Sequence, residues 1–239
     1  MSDEQVNAEQ AELNPSAKLA SREQVVDAIR EKRDLSGANL SGLDLTGMRL
    51  TGIKMVGADV SDTNLTGGLI AGVEMAQVDL SNAGLTGVRL MGVNLANGIL
   101  RKAKLMGARI LGVNLEKADL SDAQLTGARV VGVNLSGSTL REAKLAGARM
   151  VGCSFKDADL TGADLSGSRL VRSDVAGADF TDANTAGARS GGVNWSMAKV
   201  PPAPIPESLP MPPPWLPAVI AGGVVVLLIV VLKKRKKAR

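Results

Sequence analysis

The chain has 239 residues, with 28 Lys and Arg against 24 Asp and Glu, no His, no Tyr, two Phe and two Trp. Proton transfer would have to rest on carboxylates and lysines, which argues against an enzyme, and a core this poor in aromatic bulk must be built from Leu, Val, Ile and Met. The single cysteine, Cys153, excludes an internal disulfide and suits a reducing compartment.

The formal net charge of +4 is unevenly spread. Residues 1–32 carry four cations and seven anions, residues 33–198 carry 17 cations and 16 anions, and the last seven residues carry six cations and no anion. The basic character therefore belongs to the tail.

Residues 1–20 are polar and acidic without periodicity, so they read as disordered; with no apolar run they do not resemble a secretory signal. A capping segment follows over 21–33. Ser21 and Gln24 fit a capping box, and Val25, Val26 and Ile29 share one helical face. The pattern predicts a short helix over 22–32 that covers the first coil of the region beyond it.

From Leu35 to Trp195 every fifth residue is large and apolar over 33 positions in one phase, and only Thr185 and Ser190 depart. Neither a helix nor an open strand keeps a five-residue period on one side, so the chain must coil about a shared axis. The unit is clearest in Ala38-Asn39-Leu40-Ser41-Gly42 and Ala163-Asp164-Leu165-Ser166-Gly167: a small residue, a polar one, the apolar centre, Ser or Thr, then Gly. This pattern resembles the pentapeptide-repeat family, whose consensus is A-[DN]-L-x-x, across about 160 residues. The resemblance implies an all-β fold: a right-handed, quadrilateral parallel β-helix with four pentapeptides per coil. It also implies that the centre and the small residue point inward and the residue before the centre outward.

A second period of 20 residues supports that count. Gly87 through Leu95 recurs nearly unchanged as Gly107 through Leu115 and Gly127 through Leu135, so residues 20 apart should stack. A solenoid over 34–198 would have about eight coils, roughly 40 Å long at the ~4.8 Å separation of paired strands. The Gly columns at 47, 67, 87 and onward and at 52, 72, 92 and onward suit corners with positive φ; Arg172 interrupts the second. The repeat tapers at Thr185 and Ser190, and Trp195 is expected to plug the last coil.

Nine prolines fall within 201–217, so 199–217 reads as an extended spacer of at most ~50 Å. Residues 218–232 are uncharged and almost wholly apolar, which predicts a short C-terminal transmembrane helix. Trp215 would sit at one interface, and the tail of Lys233, Lys234, Arg235, Lys236, Lys237 and Arg239 would meet anionic lipid at the other. The expected arrangement is a tail anchor in a bacterial inner membrane with the solenoid cytoplasmic. The positive-inside tendency of the basic tail opposes it.

No cofactor or metal motif is present, and Cys153 falls at an inward position suited to packing. The outward columns carry more information. One face reads Arg49, Leu69, Arg89, Arg109, Arg129, Arg149, Arg169, Arg189, and the opposite one reads Asn39, Asp59, Asp79, Ile99, Asp119, Thr139, Asp159, Asp179. The seven arginines are either a stack bonded to corner carbonyls or a stripe for an anionic partner: acidic protein, phosphate or lipid head group. The family's best-known function is mimicry of duplex DNA at a topoisomerase, but such mimics are strongly acidic and this rod is nearly neutral. Nucleic-acid binding is disfavoured by the lack of stacking aromatics. The reading adopted is a non-enzymatic, membrane-anchored scaffold or adaptor that binds a protein partner. The alternatives are a DNA-mimicking topoisomerase binder and a secreted effector that inserts into a target membrane.

Overall fold

The computed structural model describes Leu19, residues 21–31 and residues 33–209. The predicted disordered N-terminus (Leu19 apart), the transmembrane helix over 218–232, Trp215 and the basic tail lie outside the described residues.

The fold follows from how one pentapeptide satisfies its backbone. Around Leu115, the amide of the centre donates to the carbonyl of Asn134 in the next coil (2.7 Å), while the amide of Asn114 donates back to Val93 in the coil before (3.0 Å). The Leu115 carbonyl closes a turn by accepting from Ala118 (3.1 Å), and the Lys117 amide reaches Ser136 (2.9 Å). The amide just after the centre is left over, and the Asn114 side chain accepts from it at Glu116 (3.2 Å). That explains why Asp or Asn so often precedes the centre: its Oδ1 accepts from the amide two residues on, as Asp59 does from Ser61 (3.0 Å).

Repetition of this unit gives a parallel β-solenoid in which, up to the terminal coil, paired residues stand 20 positions apart. Bridges such as Asn39–Asp59, Asp44–Asn64 and Lys54–Glu74 mark three sides of each coil. The fourth side carries three-residue strands: β1 Arg49–Thr51, β2 Leu69–Ala71, β3 Arg89–Met91, β4 Arg109–Leu111, β5 Arg129–Val131, β6 Arg149–Val151, β7 Arg169–Val171 and β8 Arg189–Gly191. With β9 (Glu207–Ser208) they form one parallel sheet in sequence order.

The centres fill the interior, with Leu40, Leu45, Leu50, Met55 and Leu65 fully buried and Leu115 only 3% exposed. The residue two before the centre, mostly Ala, Val, Gly or Ser but Leu43, Met48 and Ile53 in the first coils, fills the gaps. Two of the polar exceptions bond to carbonyls, Thr63 Oγ1 donating to Leu40 (3.0 Å) and Ser138 Oγ to Leu135 (2.7 Å). Burial pushes the Cys153 thiol up, and its sulfur rests 3.5 Å from the Val130 carbonyl, so it packs in the core.

The positive-φ corners are more general than the glycine columns suggest. Among the described residues eleven non-glycine residues, including Asp62, Asn82, Lys102, Lys117 and Arg172, adopt the same left-handed conformation two positions after a centre.

Both ends are covered. Helix α1 (Arg22–Arg30) is capped by Ser21, whose side chain accepts from the Gln24 amide, and buries Val25 and Ala28 against the first coil. It stops earlier than the predicted 22–32, because the Glu31 amide still bonds back to Asp27 while Arg33 reaches Ala28, turning the chain into the first repeat. At the other end a 3₁₀ turn (Trp195–Met197) places Trp195 edge-on against Phe180, with ring centroids 5.4 Å apart.

The predicted spacer corrects differently. Residues 199–209 are folded onto the last coil rather than extended away from it. Val200 pairs with Asp179, Phe180 donates to Val200 (2.9 Å), β9 pairs with β8, and Leu209 donates to Ser190 (2.6 Å). Pro202 and Pro206 are buried. A terminal coil need only satisfy bonds toward one neighbour, so residues without an N–H are tolerated while their carbonyls still accept.

Candidate partner-binding face

The sheet β1–β8 presents the arginine column in strict register. Arg89 pairs with Arg109, Arg109 with Arg129, Arg129 with Arg149, Arg149 with Arg169 and Arg169 with Arg189; Arg49 is set apart by Leu69. All seven arginines are exposed. Among the described residues, the side chains of Arg49, Arg89, Arg109, Arg129, Arg149 and Arg169 have no hydrogen-bond or ion-pair partner, and Arg189 alone of the seven lies near a carboxylate, Glu207 at 3.8 Å. The stack bonded to corner carbonyls is therefore not what the structure contains.

Local chemistry does not call for arginine here. On the other sides, the residue before the centre caps a turn through its carboxamide or carboxylate. On this side the residue after the centre belongs to the strand, so that cap has no amide to serve, and the outward position is released from Asp or Asn.

Two residues along each strand lies a second column, which the sequence reading did not single out: Met91, Leu111, Val131, Val151 and Val171. Met91 is 45% and Leu111 38% exposed, two of the few large hydrophobics left in water. Flanking both columns are the corner glycines, from Gly47 to Gly187 on one edge and from Gly52 to Gly192 on the other, with only Arg172 breaking the line. Between these edges no carboxylate occurs from Thr46 to Gly192.

The opposite side is acidic but occupied. Asp59, Asp119, Asp159 and Asp179 each accept from the Ser or Thr two residues on. Asp119 also meets Arg101 (2.5 Å), Asp159 meets Arg141 (3.0 Å) and Asp179 meets Lys199 (3.0 Å). The Thr181 hydroxyl and amide, with Lys199, hold the Asp179 carboxyl down to about 2. For Asp119 and Asp159 burial acts to raise the value, and the hydroxyl, amide and arginine contacts together outweigh it. A third side carries an amide ladder, in which Asn134 donates to Asn114 (3.1 Å) and Asn114 to Asn94 (3.2 Å).

Among the described residues no group of His, Cys, Asp and Glu is arranged to hold a metal ion, and no helix is long and apolar enough to cross a membrane. The proposed anchor residues Trp215, Lys233, Lys234, Arg235, Lys236, Lys237 and Arg239 lie outside the described residues.

A family model described as pentapeptide repeats matches overlapping segments from residue 34 to residue 189, in eight copies. No curated protein sequence matches the chain significantly. Among solved structures, HetL, a pentapeptide repeat protein involved in heterocyst differentiation regulation in the cyanobacterium Nostoc sp. strain PCC 7120, is 25% identical over 77% of this chain and 99% of its own, with a TM-score of 0.45. QnrB1, a plasmid-mediated fluoroquinolone resistance protein, is 18% identical over 72% of this chain and 90% of its own, with a TM-score of 0.49. Rfr23 from the cyanobacterium Cyanothece 51142 is 20% identical over 72% of this chain and 96% of its own, with a TM-score of 0.34.

Proposed function

Because the chain belongs to the pentapeptide-repeat family, we propose that it is a non-enzymatic scaffold or adaptor, tethered to a bacterial membrane through its C-terminal apolar segment, that binds a protein partner on its arginine-lined side. One observation carries this reading. Five consecutive coils present Arg89, Arg109, Arg129, Arg149 and Arg169 to solvent, unpartnered among the described residues, where turn chemistry does not call for them. A stack of like charges one strand apart is unfavourable by itself, so its reward lies outside the fold.

The tether rests on the sequence. The apolar run of 218–232 reaches 18 residues when counted from Trp215, at the short edge of a spanning helix, and Lys233 through Arg239 supply the interfacial cations. The solenoid is placed on the cytoplasmic side.

The DNA-mimic reading gains little from the geometry, since three aspartates of the acidic column are already ion-paired. Affinity capture in mild detergent, comparing the full chain with its Arg109→Ala/Arg129→Ala/Arg149→Ala variant, tests the proposal. A membrane-fraction partner retained by the first and lost by the second supports it. Equal capture by both, or a supercoiling-inhibition activity indifferent to the three arginines, overturns it.

A further inference from the structure

The two edges of the arginine side pose a question that backbone geometry does not answer. Gly47–Gly187 and Gly52–Gly192 occupy left-handed corners, yet at the other two corners Asp, Asn, Gln, Lys and Glu adopt the same φ. Space does not require glycine either. A Cβ built on Gly87, Gly92, Gly107, Gly112, Gly127 or Gly132 would meet nothing within 4 Å. What glycine does at these edges is keep the side flat, with no side chain but that of Arg172 fencing the arginine and aliphatic columns.

The two columns run side by side. Arginines recur at about 4.8 Å along the axis, and the aliphatic column lies roughly 6.6 Å away, two residues along each strand. From Arg89 to Arg189 the ladder extends roughly 24 Å, the length of a helix of about 16 residues.

We infer that this side is a docking platform for an acidic amphipathic α-helix of a partner protein, laid along the solenoid axis. Its carboxylates engage Arg89 to Arg169 while an adjacent apolar stripe covers Met91, Leu111, Val131, Val151 and Val171. A helix returns to the same side every 5.4 Å, so carboxylates three and four residues apart fall about 0.6 Å per turn out of step with the ladder. Over five coils the drift is roughly 3 Å, within the reach of flexible arginine side chains. An extended strand fits worse. Its outward residues recur at about 6.8 Å, and its backbone groups would face the side chains of a sheet whose hydrogen bonds are already used. A bilayer also fits worse, because the side carries one file of cations and no Trp or Tyr to seat at a lipid interface.

This inference rests on the arginine side being the binding surface. The test uses the full chain in non-ionic detergent and a fluorescent 18-residue helix-forming peptide with Glu and Leu on neighbouring stripes. Two control peptides keep that composition, one with the stripes scrambled and one with Lys for Glu. The striped peptide is expected to bind at micromolar concentration, with either control at least tenfold weaker. Arg109→Ala/Arg129→Ala/Arg149→Ala is expected to weaken it at least tenfold. Gly112→Asn/Gly132→Asn, which restores a fence in a conformation asparagine tolerates, is expected to weaken it about fivefold with an unchanged melt. Equal binding of the striped and scrambled peptides would reduce the attraction to diffuse charge and overturn the inference. Arginine-dependent binding of phosphatidylserine added to the micelles, with no peptide binding, would overturn it in favour of lipid. If cellular capture depends on the arginines but the striped peptide does not bind, the helix is wrong and the scaffold stands; if neither depends on them, both fall.

Discussion

The indole Nε1 of Trp195 donates to the Ser190 hydroxyl at 3.1 Å, and that hydroxyl lies within reach of the Pro206 carbonyl at 3.5 Å. Thr185 Oγ1 likewise donates to the Pro204 carbonyl. The two departures from the five-residue apolar rule are thus the two places where the core stops and a cap must be held by polar contacts. An aliphatic centre at 190 would leave the buried indole N–H of Trp195 unpaired.

Ser190→Val should therefore destabilise the fold by about 1–3 kcal/mol, by leaving the indole N–H without an acceptor, while Ser190→Thr should stay near wild type. Trp195→Ala should cost about 3–5 kcal/mol. Thermal melts followed by circular dichroism give the order; a Ser190→Val variant as stable as wild type would mean the cap is held by packing alone.

Two glycines should respond in opposite degrees. At Gly112, φ is +58° with open space, so Gly112→Ala should cost about 1–2 kcal/mol, the ordinary penalty of a left-handed alanine. At Gly68 a Cβ would lie 2.9 Å from the Met48 carbonyl oxygen and 3.0 Å from that of Leu65. Both obstacles are backbone, so Gly68→Ala should lower the melting temperature at least twice as far. Equal shifts would show that neighbouring coils can part locally.

The arginine file should make stability depend on salt. Like charges about 4.8 Å apart repel most at low ionic strength, so raising NaCl from about 20 to 300 mM should lift the melting temperature by a few degrees. The Arg109→Ala/Arg129→Ala/Arg149→Ala variant should show a smaller rise and match or exceed wild type at low salt. A marked loss of stability in that variant would assign the arginines to the fold.

Acid should loosen the solenoid in a defined window. Asp44, Asp119, Asp159 and Asp179 are all held below the usual carboxylate value in the folded state, Asp179 at about 2. A depressed folded value means that the unfolded chain takes up protons first. Stability is then complete above about pH 4 and is lost progressively as the pH falls toward 2. Melts should be level from pH 7 to 5 and decline below 4, and Asp179→Asn should shrink the decline. A melt that stays level to pH 2 would contradict the role of these caps.

Much of the fold was legible because the repeat encodes it redundantly. One phase of Leu, Val, Ile and Met across the coils places Leu115 inside and stacks Arg109 beneath Arg129, as found. What was hidden arises where composition and context diverge. Proline at 201, 202, 204 and 206 signals a spacer, yet those residues finish the last coil because a terminal coil asks for acceptors more than donors. The glycine columns signalled corners, but not that Asp62 or Lys102 would bend equally well, which is the comparison that gives the bare edges their meaning. The aliphatic file from Met91 to Val171 was also readable in the 20-residue period. It escaped notice because each member sits one step from an obvious core residue and is only half exposed.

Counting alone decides which way each residue points. Removing 20 residues from the middle of the rod would shorten it by one layer and leave every side in place. Removing five would swing everything downstream through a quarter turn, so that the remaining arginines fell on a neighbouring flank. Insertions and deletions in this chain are therefore graded by divisibility rather than by size, and the smaller cut does the greater damage.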